Sequence, residues 1–342
     1  MRIRSWVWPE ILLSLILPCG LGACGILPAP SAPPAPSVLS GDIRVHDSSM
    51  IRQGNTYYVF STGDEYGLNQ GNIQIRKSTN LADWELVGTV FSTIPGWIGQ
   101  ALGGVPPNLW APDISYFNQK YYLYYAGSRF GSNTSVIGLA TNVTLDSTSP
   151  DYAWIDEGMV IRSMPTDNWN AIDPNLSFDA DNVPWLSFGS FWDGIKMRRI
   201  DLATGKLASI DTTLYALASR GGGPIEAPSI ISRNGYYYLF VSFDFCCRGA
   251  DSTYNIRVGR ATSINGPYTD RSGSQMSRGG GTLILESKGR YHGPGGQSVY
   301  LDGGAYRLVH HVYDAFEFGS PKLQIHDLMW TSDGWPMIPE TS

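Results

Sequence analysis

The amino-acid sequence predicts an all-β fold, a five-bladed β-propeller. The first observation is composition: aromatic residues make up 12% of the 342 residues, and the chain contains 39 Gly and 22 Pro, which is typical of turn-rich β proteins. The second is a repeated hairpin, in which a short strand, a tight turn and an alternating aromatic strand recur five times. Five such units, each with room for four strands, predict five blades around a central channel.

Each repeat is marked by one aromatic residue near the start of the second strand of its hairpin. These residues lie 52 to 69 positions apart and are Tyr57, Tyr121, Trp185, Tyr237 and Tyr306. Segments between the hairpins, such as "NIQIRKSTNL" and "IRVGRATSI", supply the further strands that a blade needs. Residues 42–342 are therefore predicted to form one propeller domain. Its acidic residues, described below, predict that it is the catalytic domain.

Residues 1–24 are predicted to be a signal peptide that ends at a lipobox-like cysteine. "MRIR" is a short positive region, "ILLSLIL" is an apolar run too short to span a bilayer, and "LGAC" leads to Cys24. A lipid on Cys24 and plain cleavage after "LGA" both fit this pattern. Residues 25–41, rich in Pro, Ala and Ser, are predicted to be an extended tether. We expect an exported protein, extracellular or held at the cell surface or outer membrane by that lipid alone.

The charge and the cysteines limit the possible partners. The formal net charge of -6 argues against nucleic-acid binding, which needs a basic surface. Aromatic residues without positive charge suit a neutral ligand, and sugars are the obvious class. Cys246 and Cys247 are adjacent in a chain predicted to be exported. A vicinal disulfide and two buried thiols both stay open for this pair.

Four of the five repeats carry a carboxylate where the first strand begins. They are Asp47, Asp113, Asp173 and Glu226, and the fifth repeat has Gly295 and Gly296 instead. The first strand of each blade lines the channel of a propeller, so we expect these acids to converge at one mouth. Carboxylates that lie close together repel one another, so their pKa values move apart. A neutral acid beside an ionised base is the pair that glycoside hydrolysis needs.

The neighbours of each acid predict its role. Glu226 has apolar neighbours in "PIEAP", which favour the protonated form and a general acid. Asp47 follows His46 and precedes two serines, and these polar neighbours favour an ionised general base. Asp173, in "AIDPN", is predicted to orient Glu226 and tune its pKa. For Asp113, in "WAPD", substrate binding and a structural hydrogen bond both stay open.

Six longer segments occur in a characteristic order: "HDSS", "WAPDISYFNQKYYLYYAGS", "NAIDPNLSFD", "FGSFWDGIKM", "IEAPSI" and "FCCRGADSTYNIRVGRA". Together they resemble glycoside hydrolase family 43, and within it the endo-acting α-1,5-L-arabinanases, over the chain from Asp42 onward. The resemblance implies a monomeric, inverting enzyme that cleaves arabinan and arabino-oligosaccharides. It gives Asp47, Asp173 and Glu226 the roles of base, pKa modulator and acid. Inversion predicts base and acid carboxyls about 6.5–9.5 Å apart.

The resemblance also implies a cation, calcium or sodium, in the channel below the acids. "LVHHVYDA" makes His311 the predicted metal ligand, and His292 in "RYHGPGG" is the alternative. Some relatives have a His after Gly-Pro-Gly, where this chain has Gly296. One imidazole with waters is a weak site, so this cation is expected to support the structure and the local field rather than to activate the nucleophile.

Aromatic side chains near the mouth are predicted to stack against furanose rings. The candidates are Trp110, Phe130, Phe191 and Trp192. Trp110 leads, because it lies three residues before Asp113. Asn175, two residues after Asp173, is predicted to donate hydrogen bonds to sugar hydroxyls.

Three other functions are weighed. Exo-acting β-xylosidases and α-L-arabinofuranosidases belong to the same family, but they often carry an added β-sandwich domain that this sequence does not show. Levan- or sucrose-cleaving propellers carry Arg-Asp-Pro and Glu-Cys motifs, where this chain has "IDP" and "IEA". A surface sugar-binding propeller without catalysis is disfavoured, because Asp47, Asp173 and Glu226 are all present.

Overall fold

The computed structural model describes residues 33–339. The predicted signal peptide, Cys24 and the first part of the predicted tether lie outside these residues. The described chain forms five sheets, and each is built from one continuous stretch of sequence. The strands pair antiparallel except for one short strand at the start, which pairs in parallel. Among residues 33–339, no helix combines the length and the apolar composition that crossing a membrane requires.

The first three sheets are blades 1 to 3. Blade 1 consists of β1 (Ser40–Gly41), β2 (Ser49–Gln53), β3 (Thr56–Ser61), β4 (Gln74–Ser78) and β5 (Asp83–Thr89). Blade 2 consists of β6 (Leu109–Phe117), β7 (Lys120–Gly127), β8 (Ser135–Asn142) and β9 (Ile155–Ser163). Blade 3 consists of β10 (Asn175–Phe178), β11 (Pro184–Phe188), β12 (Ile195–Arg199) and β13 (Tyr215–Ala218).

Two further sheets complete the ring. Blade 4 consists of β14 (Ile225–Arg233), β15 (Tyr236–Phe243), β16 (Asn255–Ala261) and β17 (Thr282–Leu285). Blade 5 consists of β18 (Tyr291–Asp302), β19 (Ala305–Asp314), β20 (Ser320–Trp330) and β21 (Pro336–Met337). One helix, α1 (Gly96–Leu102), lies between blades 1 and 2, and short 3-10 turns span Gly249–Asp251, Met276–Arg278 and Ala315–Glu317.

The five innermost strands close a ring. β2 contacts β6, β6 contacts β10, β10 contacts β14, and β14 contacts β18, which returns to β2. This arrangement confirms the predicted five-bladed β-propeller. The five marker aromatics each occupy the second position of the second strand of a blade, as the repeat predicts.

The hydrophobic core consists of five separate layers, one between each pair of neighbouring blades. Both faces of a blade are therefore buried. In β7, "KYYLYYAG", every residue after the first is buried, which explains why the sequence runs through consecutive aromatics instead of alternating with polar residues. Burial on both faces is the physical reason that the hairpin repeats so clearly.

Hydrogen bonds from side chains join the inner strands of four neighbouring blade pairs. In each, a side chain on the inner strand of one blade accepts a hydrogen bond from a backbone N–H of the next blade, at equivalent positions around the ring. The pairs are Ser49 Oγ with Ile114 N–H (3.1 Å), Asp113 Oδ2 with Leu176 N–H (2.9 Å), Asn175 Oδ1 with Ile230 N–H (2.8 Å) and Ser229 Oγ with Val299 N–H (3.2 Å).

The joint between blades 5 and 1 is built differently. Ser298 occupies the corresponding position, but its hydroxyl has no partner within the part of the chain that the structure describes. Here the carbonyl oxygen of Gly296 accepts the N–H of Ser48 (3.2 Å). In addition, the buried carboxylate of Asp302 accepts from the hydroxyl of Tyr57 (2.9 Å).

Packed structure begins before Asp42, where the sequence places the end of the tether. The N–H of Ala35 donates to Oδ2 of Asp327 (3.1 Å) in blade 5. Leu39 packs on the layer between blades 5 and 1, and β1 pairs in parallel with β5. The described end of the predicted tether therefore lies on the propeller.

Candidate active site

The mouth of the channel is formed by five residues at equivalent positions, one from each blade, whose backbones are left-handed. They are Asp47 (φ 51°), Ala111 (φ 41°), Asp173 (φ 55°), Ala227 (φ 53°) and Gly296 (φ 55°). At Ala111, Ala227 and Gly296 the pairing with the next strand also shifts by a β-bulge, and bulges re-aim side chains at such sites. Strained backbone of this kind clusters at functional sites.

This geometry corrects the predicted equivalence of the four acids. Asp47 and Asp173 occupy the left-handed position itself. Glu226 precedes that position by one residue, and Asp113 follows it by two. The charges of Glu226 and Asp47 both act on Asp173, so these three acids lie near one another, whereas Asp113 bonds Asn175 and Leu176 of the next blade.

Asp47 is held by groups that favour its ionised form. Its Oδ2 accepts hydrogen bonds from Nδ1 of His46 (2.7 Å) and from the hydroxyl of Thr62 (2.7 Å). Burial alone would raise the pKa of Asp47, but the charge and hydrogen bond of His46, with Thr62, lower it to about 2. Its Oδ1 has no donor within hydrogen-bond distance among residues 33–339. Asp47 therefore presents an ionised, unoccupied oxygen, which is what a general base needs.

Glu226 has the opposite character. Its side chain is 7% exposed, and burial raises its pKa to about 7, with a further increase from the charge of Asp47. The hydroxyl of Ser190 donates to Oε2 (2.6 Å), and this bond lowers the pKa and limits the shift. A carboxyl that still holds its proton near neutral pH is suited to general acid catalysis.

Asp173 lies next to Glu226. Its Oδ2 accepts the backbone N–H of Ala227 (3.0 Å), the residue that follows Glu226. Burial raises the pKa of Asp173 well above its ordinary value, and the charges of Glu226 and Asp47 raise it further. The contact is in keeping with the predicted orienting role, because it fixes the backbone that carries Glu226.

Asp113 and Asn175 form a structural joint between neighbouring blades, and both also line the channel cavity. Nδ2 of Asn175 donates to Oδ1 of Asp113 (3.0 Å), and both side chains also accept backbone N–H groups of the next blade. Burial raises the pKa of Asp113 to about 6. One hydrogen of the Asn175 amide is engaged by Asp113, and the donation of this amide to sugar hydroxyls stays a prediction. Of the two alternatives for Asp113, the structural hydrogen bond is the one found.

A small cavity of about 30 Å³ lies in the channel, and Asp47 and Asp173 are themselves among its lining residues. Its lining includes the carboxyl residue Asp113 and two serines, Ser48 and Ser298, whose buried hydroxyls have no partner within the described chain. Oxygen donors of this kind suit a small cation such as calcium or sodium. The cavity therefore fits the predicted ion by its donor atoms.

His311 stays the predicted ligand of that ion, and its buried Nε2 has no hydrogen-bond partner within the described chain. It does not line the cavity; its Nδ1 accepts the N–H of Asp47 (3.1 Å) and its ring stacks on His46 at 3.8 Å between centroids. Burial holds the pKa of His311 well below its usual range, so the ring is neutral. A Cβ atom at Gly296 would overlap Oδ1 of Asp47 and the ring of His311, which explains the glycine here. The cation stays a prediction, and the chemistry proposed below does not use it.

The predicted stacking residues differ in position. Trp110 is half-buried and directly precedes Ala111, at the place that Glu226 has in its own blade. Phe191 is half-buried and its N–H donates to the carbonyl oxygen of Ile225 (2.9 Å), so it lies beside Glu226. Phe130 is 82% exposed. Contact of any of them with a sugar stays a prediction.

Four residues of the site are not among the sequence-predicted ones. His46 and Thr62 bind Asp47, Ser190 binds Glu226, and Tyr313 donates to or accepts from Nε2 of His46 at 2.6 Å. Only His46 carries a sequence signal, because it directly precedes Asp47. The others come from strand ends and loops elsewhere in the chain.

Residues 38–336 match the family described as glycosyl hydrolases family 43. The chain belongs to this family. The enzyme is therefore a glycoside hydrolase, and both the predicted family and the predicted enzyme class are confirmed.

Individual relatives of this family 43 enzyme cover nearly the whole chain. An extracellular endo-α-(1→5)-L-arabinanase 1 of Bacillus subtilis (strain 168) is 46% identical, over 90% of this chain and 92% of that protein. An extracellular exo-α-(1→5)-L-arabinofuranosidase ArbA of Cellvibrio japonicus (strain Ueda107) is 39% identical, over 98% and 93%. The solved structure of a GH43 endo-arabinanase from Bacillus licheniformis is 48% identical, with a TM-score of 0.81 over 88% of this chain and 99% of that one.

Proposed function

We propose that this enzyme hydrolyses α-1,5-L-arabinofuranosidic bonds within arabinan, with inversion at the anomeric carbon. The observation that carries the proposal is the pair of carboxyls with opposite pKa shifts at one mouth, Asp47 at about 2 and Glu226 at about 7. Between these values one carboxyl is ionised while the other holds its proton, which is the arrangement of a base and an acid in glycoside hydrolysis.

The two groups act in one displacement. Oδ1 of Asp47 takes a proton from a water molecule, whose oxygen attacks the anomeric carbon of the sugar. The bond from that carbon to the glycosidic oxygen breaks, and the leaving oxygen receives the proton of Glu226. Asp173 keeps Glu226 oriented through the N–H of Ala227. The product carries a hydroxyl on the opposite face, and proton exchange with solvent restores both carboxyls.

The endo mode is supported by similarity. The relative named as an endo-arabinanase is 46% identical to this chain, whereas the relative named as an exo-acting arabinofuranosidase is 39% identical. The second candidate is therefore exo attack on the same substrate. The word "extracellular" in both names also supports export of this chain; the lipid on Cys24 and the monomeric state stay predictions.

Product analysis on debranched linear arabinan tests this proposal. Endo attack yields a ladder of intermediate arabino-oligosaccharides early in the reaction, whereas exo attack yields one short product from the first minutes. Glu226→Gln removes the acid and should abolish the ladder. Glu85→Gln makes the same chemical change at an exposed position of β5 and should leave the products unchanged. Absence of cleavage by the wild-type enzyme would overturn the proposal, and a single short product would replace endo by exo attack.

A further inference from the structure

A line of hydrogen bonds runs from the disulfide loop to the base. The N–H of Cys247 donates to the hydroxyl oxygen of Tyr313 (2.9 Å). That hydroxyl bonds Nε2 of His46 (2.6 Å), and Nδ1 of His46 bonds Oδ2 of Asp47 (2.7 Å). The line therefore links blade 4, blade 5 and the start of blade 1 in four groups.

The hydrogen bonds of this line can form whether the imidazole of His46 is neutral or charged. A carboxylate only accepts, so Nδ1 of His46 carries a hydrogen in either state. When the imidazole is neutral, the hydroxyl of Tyr313 donates to Nε2. When the imidazole is charged, Nε2 donates to the hydroxyl instead. The link from Tyr313 to Asp47 is kept in both cases, because a phenol is both donor and acceptor.

The far end of the line is fixed by the vicinal disulfide. Cys246 and Cys247 form a disulfide, which answers the question that the sequence left open. Cys247 has a left-handed backbone (φ 65°), and Cys247 Sγ lies 3.8 Å from Nε2 of His46. The bond between adjacent residues restricts the backbone that aims the N–H at Tyr313, a side chain only 3% exposed.

The near end of the line decides which oxygen of Asp47 is free. His46 and Thr62 both bond Oδ2, while Oδ1 has no donor within hydrogen-bond distance among the described residues and lies 3.8 Å from Nδ1 of His311. If the imidazole of His46 turned, the carboxylate would keep only the hydrogen bond from Thr62, and its plane would be less firmly held. The orientation of the Asp47 carboxylate, and so of the oxygen that binds the attacking water, depends on His46. The other ring nitrogen of His46 is held by Tyr313.

We propose that Tyr313 is a positioning residue for Asp47, acting through His46, and that the Cys246–Cys247 disulfide holds the loop that completes this support. The proposal rests on the proposed function, in which Asp47 is the base. The disulfide would then contribute to catalysis and not to stability or folding alone.

Tyr313→Phe tests the proposal, because it removes one hydroxyl and keeps the ring. We expect kcat to fall by up to about 100-fold, the effect of a small misplacement of a reacting group, with KM within about twofold of wild type. The matched control is Tyr268→Phe, a buried tyrosine in blade 4 whose hydroxyl donates to the carbonyl oxygen of Ile264 (2.7 Å). That variant should keep the wild-type kcat.

A substrate with a better leaving group distinguishes a defect in the base from a defect in the acid. On an aryl arabino-oligosaccharide whose phenol leaves without protonation, Glu226→Gln should regain much of its rate, because the acid is no longer needed. Tyr313→Phe should show the same fractional loss as on arabinan, because the water must still be activated. Recovery of Tyr313→Phe on this substrate would contradict a role on the base side.

Reversible reduction tests the disulfide. A phosphine reductant converts the disulfide to two thiols, and we expect kcat of the wild type to fall and to recover on reoxidation. Tyr313→Phe, which has already lost the link, should show little further change on reduction. A wild type that keeps its kcat after complete reduction, verified by thiol counting, would overturn the part assigned to the disulfide.

Nitrogen NMR of His46 gives a readout that does not depend on substrate. The ¹⁵N shifts of the ring report which nitrogen carries hydrogen, and they should change in Tyr313→Phe but not in Tyr268→Phe. Unchanged shifts and unchanged kcat in Tyr313→Phe, beside an inactive Asp47→Asn, would overturn this inference and leave the proposed function standing. A wild type that cleaves neither substrate would overturn the proposed function, and the inference with it.

Discussion

Two carboxyls of the same chemistry acquire opposite protonation at the scale of single residues. Asp47 has an imidazole and a hydroxyl directed at one oxygen, and its pKa falls to about 2. Glu226 is buried with a single hydroxyl donor, Ser190, and its pKa rises to about 7. The difference in partners, and not in the acids themselves, supports the proposed roles of base and acid.

Ser190→Ala should move the alkaline limit of activity to higher pH. The hydroxyl of Ser190 stabilises the ionised form of Glu226 and lowers its pKa, so its removal raises that pKa and keeps the acid protonated further into the alkaline range. The profile of kcat/KM against pH reports this value for the free enzyme. Ser187→Ala, a buried serine of β11 whose hydroxyl donates to the carbonyl oxygen of Asn175 (3.3 Å), is the control. A limit that shifts to lower pH would contradict the assignment of Glu226.

The sequence carries part of this residue-scale information. The apolar neighbours of Glu226 and the polar neighbours of Asp47 predict the direction of each pKa shift, because residues adjacent in sequence stay adjacent in space. Ser190 follows β11 of blade 3, and Tyr313 lies in β19 of blade 5, so both are distant in sequence from the acids that they support. No local pattern in the sequence marks them, since serine and tyrosine are common throughout a turn-rich β protein.

At the scale of strands, the left-handed residue and its bulge decide which side chains face the mouth. The sequence predicts four acids at one level, because each lies near the start of an inner strand. The register shifts at Glu226 and Asp113 put one acid before the left-handed position and the other after it. A one-residue slip reverses the direction of a side chain in a strand. An alignment of the repeats does not show where the bulges lie, so it does not predict which acids point in the same direction.

Asp113→Ala should destabilise the joint between blades 2 and 3. It leaves the N–H of Leu176 and the amide of Asn175 without their acceptor, at about 1–3 kcal/mol for each buried group. Ser229→Ala leaves one backbone N–H, that of Val299, without its acceptor and should cost less. Urea unfolding measures both free energies. Equal losses for the two variants would contradict the joint described here.

The loss at Asp113 should also depend on pH. Its pKa of about 6 in the folded enzyme lies above the ordinary 3.8, so the folded state binds the extra proton between these values. The stability that Asp113 contributes is then present at low pH and falls as the pH rises through about 6. The destabilisation by Asp113→Ala should therefore be larger at pH 5 than at pH 8. A larger loss at pH 8 would contradict the raised pKa.

At the scale of the whole molecule, the ring holds the site together. Asp47 comes from the start of blade 1, while His311 and Tyr313, which flank it, come from blade 5. The closing joint therefore lies inside the active site. Asp302 of blade 5 binds Tyr57 and Arg52 of blade 1, so further polar contacts between the same two blades secure this joint.

The number of blades is predictable from the sequence, because every blade must bury two faces and so repeats the same aromatic pattern. The closure of the ring is not, because the fifth joint breaks the pattern of the other four. Ser298 has the residue type of the repeat but no partner within residues 33–339. The contacts that replace it connect residues from opposite ends of the chain, and such pairs leave no periodic signal.

The most direct test of the account is the anomeric configuration of the first product. Proton NMR during hydrolysis of a short α-1,5-linked arabino-oligosaccharide resolves the new reducing end before it mutarotates. With Asp47 as a base acting through water and Glu226 as the acid, the account predicts that the β-anomer appears first and relaxes to the equilibrium mixture. Initial appearance of the α-anomer would mean retention through a covalent intermediate, and would contradict the role of Asp47.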